Sequence, residues 1–365
     1  MQSRLLGWVL ACAMIWMAPN CALDPIDLEE TPSSFILEMQ RLEIPGFPYA
    51  FNPSILRTER GVLMSFRLGS YVHGSEICGH TPPCLSPQNR DTSKIGLIWL
   101  DDQFQIASQT QVLKIPRSAE DVPFRPQDPR LIEVGGKIYL VYNNFTRLGA
   151  ATNQRMYFAE LFYDGGQFAL GASQCLIDFE EANPGKTEKN WTPFDYQGQL
   201  HFSYSFSPHT VFRPLDGTSS CITVGSTQGA IAWQWGHLRG GTTALKVGDE
   251  YLGFFHSVMS MKTVHSEQKK IPHYFMGAYT CAATPPFSLT AVSPEPIVGE
   301  GFYTGERYVT WKPLIALFPA GYIFDENYIW VAYGKQDHEI WIAKLDKQGL
   351  LDSLVPVASV RDLGQ

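Results

Sequence analysis

Charge is scarce in this chain of 365 residues: Asp, Glu, Lys and Arg make up 18%, with 28 basic side chains against 36 acidic ones. Basic residues gather nowhere beyond the adjacent Lys269 and Lys270. Holding nucleic acid or an anionic membrane surface requires a positive patch, so both partners are excluded. Long helical periods are missing as well. Strand-like runs such as KIYLVYN, HFSYSF, YLGFFHS and IWVAYG take their place, which argues against an open α/β enzyme. The chain has no Walker loop, no G-x-S-x-G elbow, no HExxH helix and no dinucleotide fingerprint, so those chemistries lose their sequence basis. No motif implies a metal or an organic cofactor.

One long apolar run is present, at the N-terminus. Arg4 precedes LLGWVLACAMIWM, and Pro19 and small residues near Cys21 and Ala22 follow. About a dozen apolar residues is short of the roughly 20 that a spanning helix needs. The run therefore reads as an export signal over residues 1–22, leaving a mature chain without a membrane span and bound for the periplasm, the secretory pathway or the exterior. Cys21 admits a lipoprotein reading, but Asn20 fits poorly where a small residue is usual. Residues 23–40 are acidic and turn-rich and read as an extended lead-in to one domain over 41–365. Of the cysteines that remain, Cys78 and Cys84 can close a small loop in ICGHTPPC, while Cys175, Cys221 and Cys281 leave an odd thiol. Zinc is the rival for His73, Cys78, His80 and Cys84, although their spacing fits no standard finger. Asn144 and Asn190 open N-x-T sequons, acceptors only in a host that glycosylates.

What the chain does have is repetition. FNPSILRTERGVLMSFR from Phe51, QDPRLIEVGGKIYLVYN from Gln127, NWTPFDYQGQLHFSYS from Asn190, RGGTTALKVGDEYLGFFHS from Arg239 and LFPAGYIFDENYIWVAYG from Leu317 share one pattern. Each has a turn, an apolar strand, a short polar turn and a second strand ending at an aromatic. Such a hairpin cannot bury its own apolar face, so five copies predict an all-β, five-bladed β-propeller. The ring would bring Asn52, Asp128, Thr192, Gly241 and Gly321 to a common axis and line a polar pocket there.

The turns mix carboxylate, guanidinium, amide and indole: FNPS with Asn52 and Ser54, QDPR, EKNWTPF, LRGGTT, FFHS, SPEP and YGKQDHE. Such mixtures suit carbohydrate, whose hydroxyls take bidentate hydrogen bonds while sugar rings stack on aromatics. Asp128 in QDPR either initiates a turn neutralised by Arg130 or donates a proton to a glycosidic oxygen, with Arg130 then a substrate-binding residue; proton donation requires a raised pKa. Arg239, followed by two glycines, suits an anion or a sugar at closely approached backbone. His256 closes an apolar strand, as a packed residue or as a ligand-binding one. Trp191 is a sugar platform or a wedge between blades, and Trp233 and Trp235 could likewise stack on sugars.

The series FNPSI with Arg67, QDPRLI, EKNWTPF, FFHS, SPEPI and YGKQDHEIWIAKLD, over roughly Leu42 to Leu345, resembles glycoside hydrolase family 130 and its relatives. The resemblance implies five-bladed propellers acting on β-mannosides, with an oligosaccharide substrate and, in phosphorolytic members, inorganic phosphate. It implies that Asp128 is the general acid, that Asn52 and Arg67 bind the adjoining sugar, that Lys189 and His256 lie near phosphate or the reacting sugar, and that Asp337 contacts sugar hydroxyls. This chain departs from the phosphorolytic pattern. Lys189 is followed by Asn190 and Trp191 where an Asp is usual, and Ser205 stands near the position of a second phosphate-binding arginine, leaving Arg155 for the first anion contact. Inverting hydrolysis needs instead a base at a carboxylate separation of about 6.5–9.5 Å, for which Glu188, Glu295 and Asp337 are the candidates. Two other outcomes stay open: mannosyl transfer from an activated donor, and a silent carbohydrate-binding propeller.

Overall fold

The computed structural model describes residues 25–69, 93–117, 119–308 and 312–359. The export signal, Cys21 and the segment from His73 to Cys84, with its disulfide and zinc readings, lie outside these residues. Five main sheets form the five blades of a β-propeller. Blade 1 comprises Ala50–Thr58, Gly61–Gly69, Ser93–Leu100 and Gln111–Val112, in that order from the axis outward. Blade 2 follows with Gln127–Val134, Lys137–Leu148, Ala151–Asp164 and Gln174–Leu176, and blade 3 with Thr192–Tyr196, Gln199–Phe206, His209–Pro214 and Cys221–Thr227. In blade 4 the inner strand is split into Arg239–Gly240 and Leu245–Val247, beside Glu250–Met261, Ile271–Ala282, Leu289–Val292 and Val355–Pro356. Blade 5 has Leu317–Phe324, Tyr328–Lys335 and Glu339–Asp346, and its outer strand comes from the other end of the chain, Ile36–Leu42. The five repeats are the inner two strands of the five blades.

That outer strand corrects the expected domain boundary. Ile36–Leu42 pairs antiparallel with Glu339–Asp346, so the ring closes through the N-terminal segment and the lead-in drawn to residue 40 ends inside the propeller. Upstream, the Glu29 carboxylate accepts from the backbone N–H groups of Gly301, Tyr303 and Thr304, which ties the segment to the connection between blades 4 and 5.

Each blade is buried on both faces, which explains why its strands read as near-continuous apolar runs rather than strict alternation. In blade 1, Leu63 packs with Leu131 and Leu140 of blade 2, while Val62, Met64 and Phe66 pack with Ile340 and Ile342 of blade 5. In blade 2, Leu131 faces blade 1 and the next residue, Ile132, joins the cluster with Phe202 and Phe212 of blade 3. Successive side chains of a strand point to opposite faces, so neighbours in sequence serve neighbouring inter-blade cores. Cys175, Cys221 and Cys281 are free thiols. Both sequon asparagines are buried, Asn144 at 3% exposure and Asn190 at 6%, which withdraws them as glycosylation acceptors in the folded chain. Among the described residues no helix is long and apolar enough to cross a membrane.

Candidate active site

The inner strands do not run straight to the axis. Ladder register slips between Phe51 and Ser54 and between Gln127 and Arg130, and at each slip one residue is left-handed, Asn52 at φ 50° and Asp128 at φ 51°. Asn and Asp tolerate this region better than other non-glycine residues, and the prolines that follow have no N–H to lose from the ladder. The Asn-Pro and Asp-Pro pairs thus build β-bulges that re-aim a side chain, as bulges near active sites commonly do.

The two bulges turn their side chains to each other. Asn52 Nδ2 donates to Asp128 Oδ1 at 2.9 Å, and Asn143 Nδ2 donates to the other oxygen, Oδ2, at 3.4 Å. The Arg67 guanidinium lies 3.7 Å from Oδ1, held by its Nε bond to Ser93 Oγ at 2.9 Å and by the Phe51 ring beneath it. Lys189, Arg239 and Asp337 complete the charged ring: Lys189 feels the charges of Asp128, Arg67, Arg239 and Asp337. Its side chain is solvent-exposed yet crowded by protein, as expected of a cation standing in a pocket. His256 is cross-strand partner to Arg239; its ring stacks on Tyr274 at 5.8 Å and packs on Phe318 at 4.7 Å.

Electrostatics fixes the protonation states. Burial by itself raises the Asp128 pKa, but Arg67, Lys189, the Asn52 hydrogen bond and Arg130 together outweigh it and leave the pKa below the ordinary value. The raised pKa expected for a proton donor is thus not found, and Asp128 is a carboxylate at neutral pH. Burial, then Arg239, Arg130 and Lys189, hold His256 well below its usual range, so the imidazole is neutral. Burial first, with Asp337 next, pushes the Tyr274 phenol up to about 12. Burial, aided by Arg67 and Arg239, lowers the Lys189 pKa.

Several expected site residues do other work. Arg130 is fully buried and reaches across the ring, donating to the carbonyls of Gly241 and Gly240 in blade 4; it closes the axis beneath the site rather than meeting a ligand. Ser54 Oγ accepts from Leu131 N at 3.0 Å and is a tie between blades 1 and 2. The glycines after Arg239 serve the ring, not a ligand. A Cβ on Gly240 would stand 2.2 Å from the Asn190 carbonyl oxygen, and one on Gly241 would stand 2.8 Å from that of Pro319. Asn190 is left-handed at φ 65° and gives the ring its backbone carbonyl, while its Oδ1 is buried without a partner.

Trp191 is no platform. It is 1% exposed, with its indole edge-on to Phe179 at 5.1 Å and to Tyr204 at 5.2 Å, and it wedges the core between blades 2 and 3. Its Nε1 donates to Glu188 Oε2 at 3.2 Å, and the other Glu188 oxygen lies 3.4 Å from Lys186 Nζ. Glu188 thus turns toward Lys186 and Trp191, with burial raising its pKa, and is withdrawn as a catalytic carboxylate. Arg155 spends its terminal nitrogens on the carbonyls of Gln154, Lys186 and Asn183, all at 2.7 Å, and is withdrawn as a phosphate ligand. Glu295 is exposed and bonded to Trp235 Nε1 at 2.7 Å, and shares no described contact with the Asp128 cluster. Of the carboxylates weighed as a base, Asp337 is the one that shares the site's field with Asp128.

Asn143 and Tyr274 belong to the site and were missed. The signal for Asn143 lay in the repeats: it follows the closing aromatic of its copy, as Arg67 and His256 follow theirs. The ladder makes this equivalence physical, pairing Phe51 with Arg67, Gln127 with Asn143 and Arg239 with His256. In blade 5 the same position is Gly334, where a Cβ would come within 2.1 Å of Asn52 Oδ1.

No protein-family model matches this sequence, and no curated protein matches it. Solved structures do. A β-1,2-mannobiose phosphorylase from Listeria innocua, solved with β-1,2-mannobiose, superimposes with a TM-score of 0.54 at 14% identity, over 87% of this chain and 99% of that one. A glycosyl hydrolase from Bacteroides ovatus gives 0.54 at 14% identity over 89% and 93%, and a GDP-Man-dependent mannosyltransferase from Leishmania mexicana gives 0.52 at 10% over 90% and 96%. At such identities the likeness is one of fold: this chain is a five-bladed β-propeller with the architecture of the mannoside enzymes that its sequence resembles.

Proposed function

We propose that the chain is an exported enzyme of glycoside hydrolase or phosphorylase type acting on β-linked mannosides, with Asp128 as the group that moves the proton. The observation that carries this reading is the carboxylate of Asp128, gripped by Asn52, Asn143 and Arg67 at the mouth of an axis closed by Arg130. A carboxylate so placed can hydrogen-bond a sugar hydroxyl or the glycosidic oxygen, and the propeller fold is shared with a mannobiose phosphorylase.

Charge favours phosphate over water as the attacking partner. Lys189 stands exposed within reach of the Asp128 charge, with Arg239 exposed beside Lys189 and His256, while Arg155 is committed elsewhere. An anion bound there would offset the cations that now depress Asp128, raise its pKa and let it carry the proton to the leaving oxygen. Proton donation is thereby tied to the presence of the second substrate. The same carboxylate in its present charged form is suited to the reverse task, taking a proton from an acceptor hydroxyl, and this favours mannosyl transfer from an activated donor as the second reading. Asp337 is the residue left for activating water, should hydrolysis be the reaction.

The test is product analysis with β-1,2- and β-1,4-mannobiosides, with and without inorganic phosphate, for the protein and its Asp128→Asn variant. Mannose 1-phosphate formed only with phosphate is expected, with turnover down about 10²–10⁴-fold in the variant and substrate affinity retained. Free mannose in phosphate-free buffer would make it a hydrolase. Product only from an activated mannosyl donor would move the assignment to transfer, and binding without turnover of any of these would leave a lectin.

A further inference from the structure

Ahead of the strand that closes the ring, the chain meets the connection between blades 4 and 5 with one half-buried carboxylate, Glu29. Its two oxygens take four donors from a single loop: Oε1 accepts from the N–H groups of Tyr303 and Thr304, and Oε2 accepts from Gly301 N–H and Thr304 Oγ1, both at 3.1 Å. Backbone N–H groups that converge on an anion make a concave grip with the anion as its fixed point. The carbonyls of the same loop are held from the other side. Lys335 Nζ donates to Gly301 O at 2.7 Å and to Thr304 O at 2.6 Å.

Both grips lead into the candidate site. The Tyr303 hydroxyl donates to the Tyr274 carbonyl at 3.2 Å. Tyr274 belongs to the pocket itself: its ring stacks on His256 at 5.8 Å and 10°, and its phenol feels the charges of Asp337, Arg239 and Asp128. Lys335 opens the turn that carries Asp337. His338 N–H donates to Lys335 O at 3.1 Å, and the two residues between them, Gln336 and Asp337, are left-handed at φ 58° and 54°. The loop at 301–304 is therefore joined to two walls of the pocket, through Tyr303 to Tyr274 and His256, and through Lys335 to Asp337.

We propose that Glu29 is a positioning residue of the active site, fixing the loop that holds Tyr274 against His256 and seats the turn of Asp337. The proposal rests on the carbohydrate reading above. It makes the N-terminal segment part of the catalytic apparatus as well as the clasp that closes the ring. Without the carboxylate, the N–H groups of Gly301, Tyr303 and Thr304 face no anion and the loop relaxes. A shift of about 1 Å far from the chemistry is enough to cost about 10²-fold in rate.

The His256 ring protons report on Tyr274, because a stacked aromatic ring shifts their resonance, and imidazole correlation spectra follow them without any substrate. The signal is assigned by its loss in His256→Gln. In Glu29→Ala it should move, and kcat/KM for a β-mannobioside with phosphate present should fall about 10–10²-fold, measured well below the unfolding transition. Glu29→Gln keeps the length and one accepting oxygen, so it should do the same to a lesser degree; it decides alone should the alanine variant not fold. Ser33→Ala is the control. Ser33 Oγ accepts from Val298 N at 3.0 Å, a tie of the same segment outside the 301–304 loop, so its loss should lower stability and leave both the signal and kcat/KM as they were. If Glu29 is only structural, its variants will match Ser33→Ala, with lower stability and neither readout moved; that result overturns the proposal and leaves the reading of the Asp128 site standing. Turnover of no β-mannoside by the unsubstituted protein, with or without phosphate, sinks that reading and the proposal with it.

Discussion

Two corners of the propeller look alike in sequence and differ in what they leave undone. At the blade 1–blade 2 corner, Asn52, Asp128 and Asn143 bond to one another, the Asp128 carboxylate feels the charges of Arg67, Lys189 and Arg130, and the Oδ1 atoms of Asn52 and Asn143 are buried without partners. At the blade 2–blade 3 corner, Arg155, Lys186, Glu188, Trp191 and Tyr204 engage one another and nearby carbonyls, with Arg155 Nε buried and unpartnered but each charge spent within the group. One corner is poised for a ligand. The other is a structural joint assembled from the same residue types. The presence of carboxylate, arginine and indole in a turn therefore identifies a site only when their mutual bonding leaves charge or hydrogen-bonding capacity over.

The comparison breaks most visibly at Trp191. As a core wedge, its truncation in Trp191→Ala should cost about 3–5 kcal/mol of stability, read by urea unfolding, with KM for a mannoside little changed in the protein that remains folded. A platform would behave in the opposite way, giving normal stability and a raised KM.

The arginines sharpen it next. Arg239→Lys at the site should raise KM for phosphate several-fold with stability retained, since the side chain is exposed and Lys keeps the charge but not the planar fork. Arg155→Lys should do the reverse. It loses the fork that satisfies three carbonyls, at about 1–3 kcal/mol for each buried acceptor left unmade, and phosphate KM stays put. A phosphate KM that responds to Arg155 instead would return that residue to the site.

The fold was legible because propeller repetition is a local property. Each copy carries its own turn and its own aromatic, so FNPSI, QDPRL and the other openings marked the inner strands correctly. Ring closure was not legible, because Ile36–Leu42 is a short strand whose partner lies some 300 residues away, and nothing in its own pattern names that partner. The site was legible where a bulge leaves a sequence mark, as Asn-Pro and Asp-Pro do. It was not legible where the deciding fact is the direction of a side chain. Glu188 and Lys189 are adjacent in sequence, yet Glu188 turns toward Trp191 and Lys186 while Lys189 turns toward Asp128. Nor does QDPR show that Arg130, a candidate sugar contact beside Asp128, crosses to blade 4 over a separation of 111 residues.

The finest distinction between the corners is the sign of their pH dependence. Asp128 has a folded pKa below its model-peptide value of 3.8, so its charged form contributes stability that is present above 3.8 and lost as pH falls through the folded pKa. Glu188 has a folded pKa above 4.5, so its protonated form contributes stability that is complete below 4.5 and lost as pH rises through the folded value. Replacing each by its amide removes the titration. Compared with the unsubstituted protein, Asp128→Asn should therefore look worse at pH 7 than at pH 3, and Glu188→Gln better at pH 7 than at pH 3. Urea unfolding of the three proteins at the two pH values measures both differences. Equal signs would mean that the two carboxylates sit in equivalent surroundings, and the division into a poised corner and a structural joint would fall.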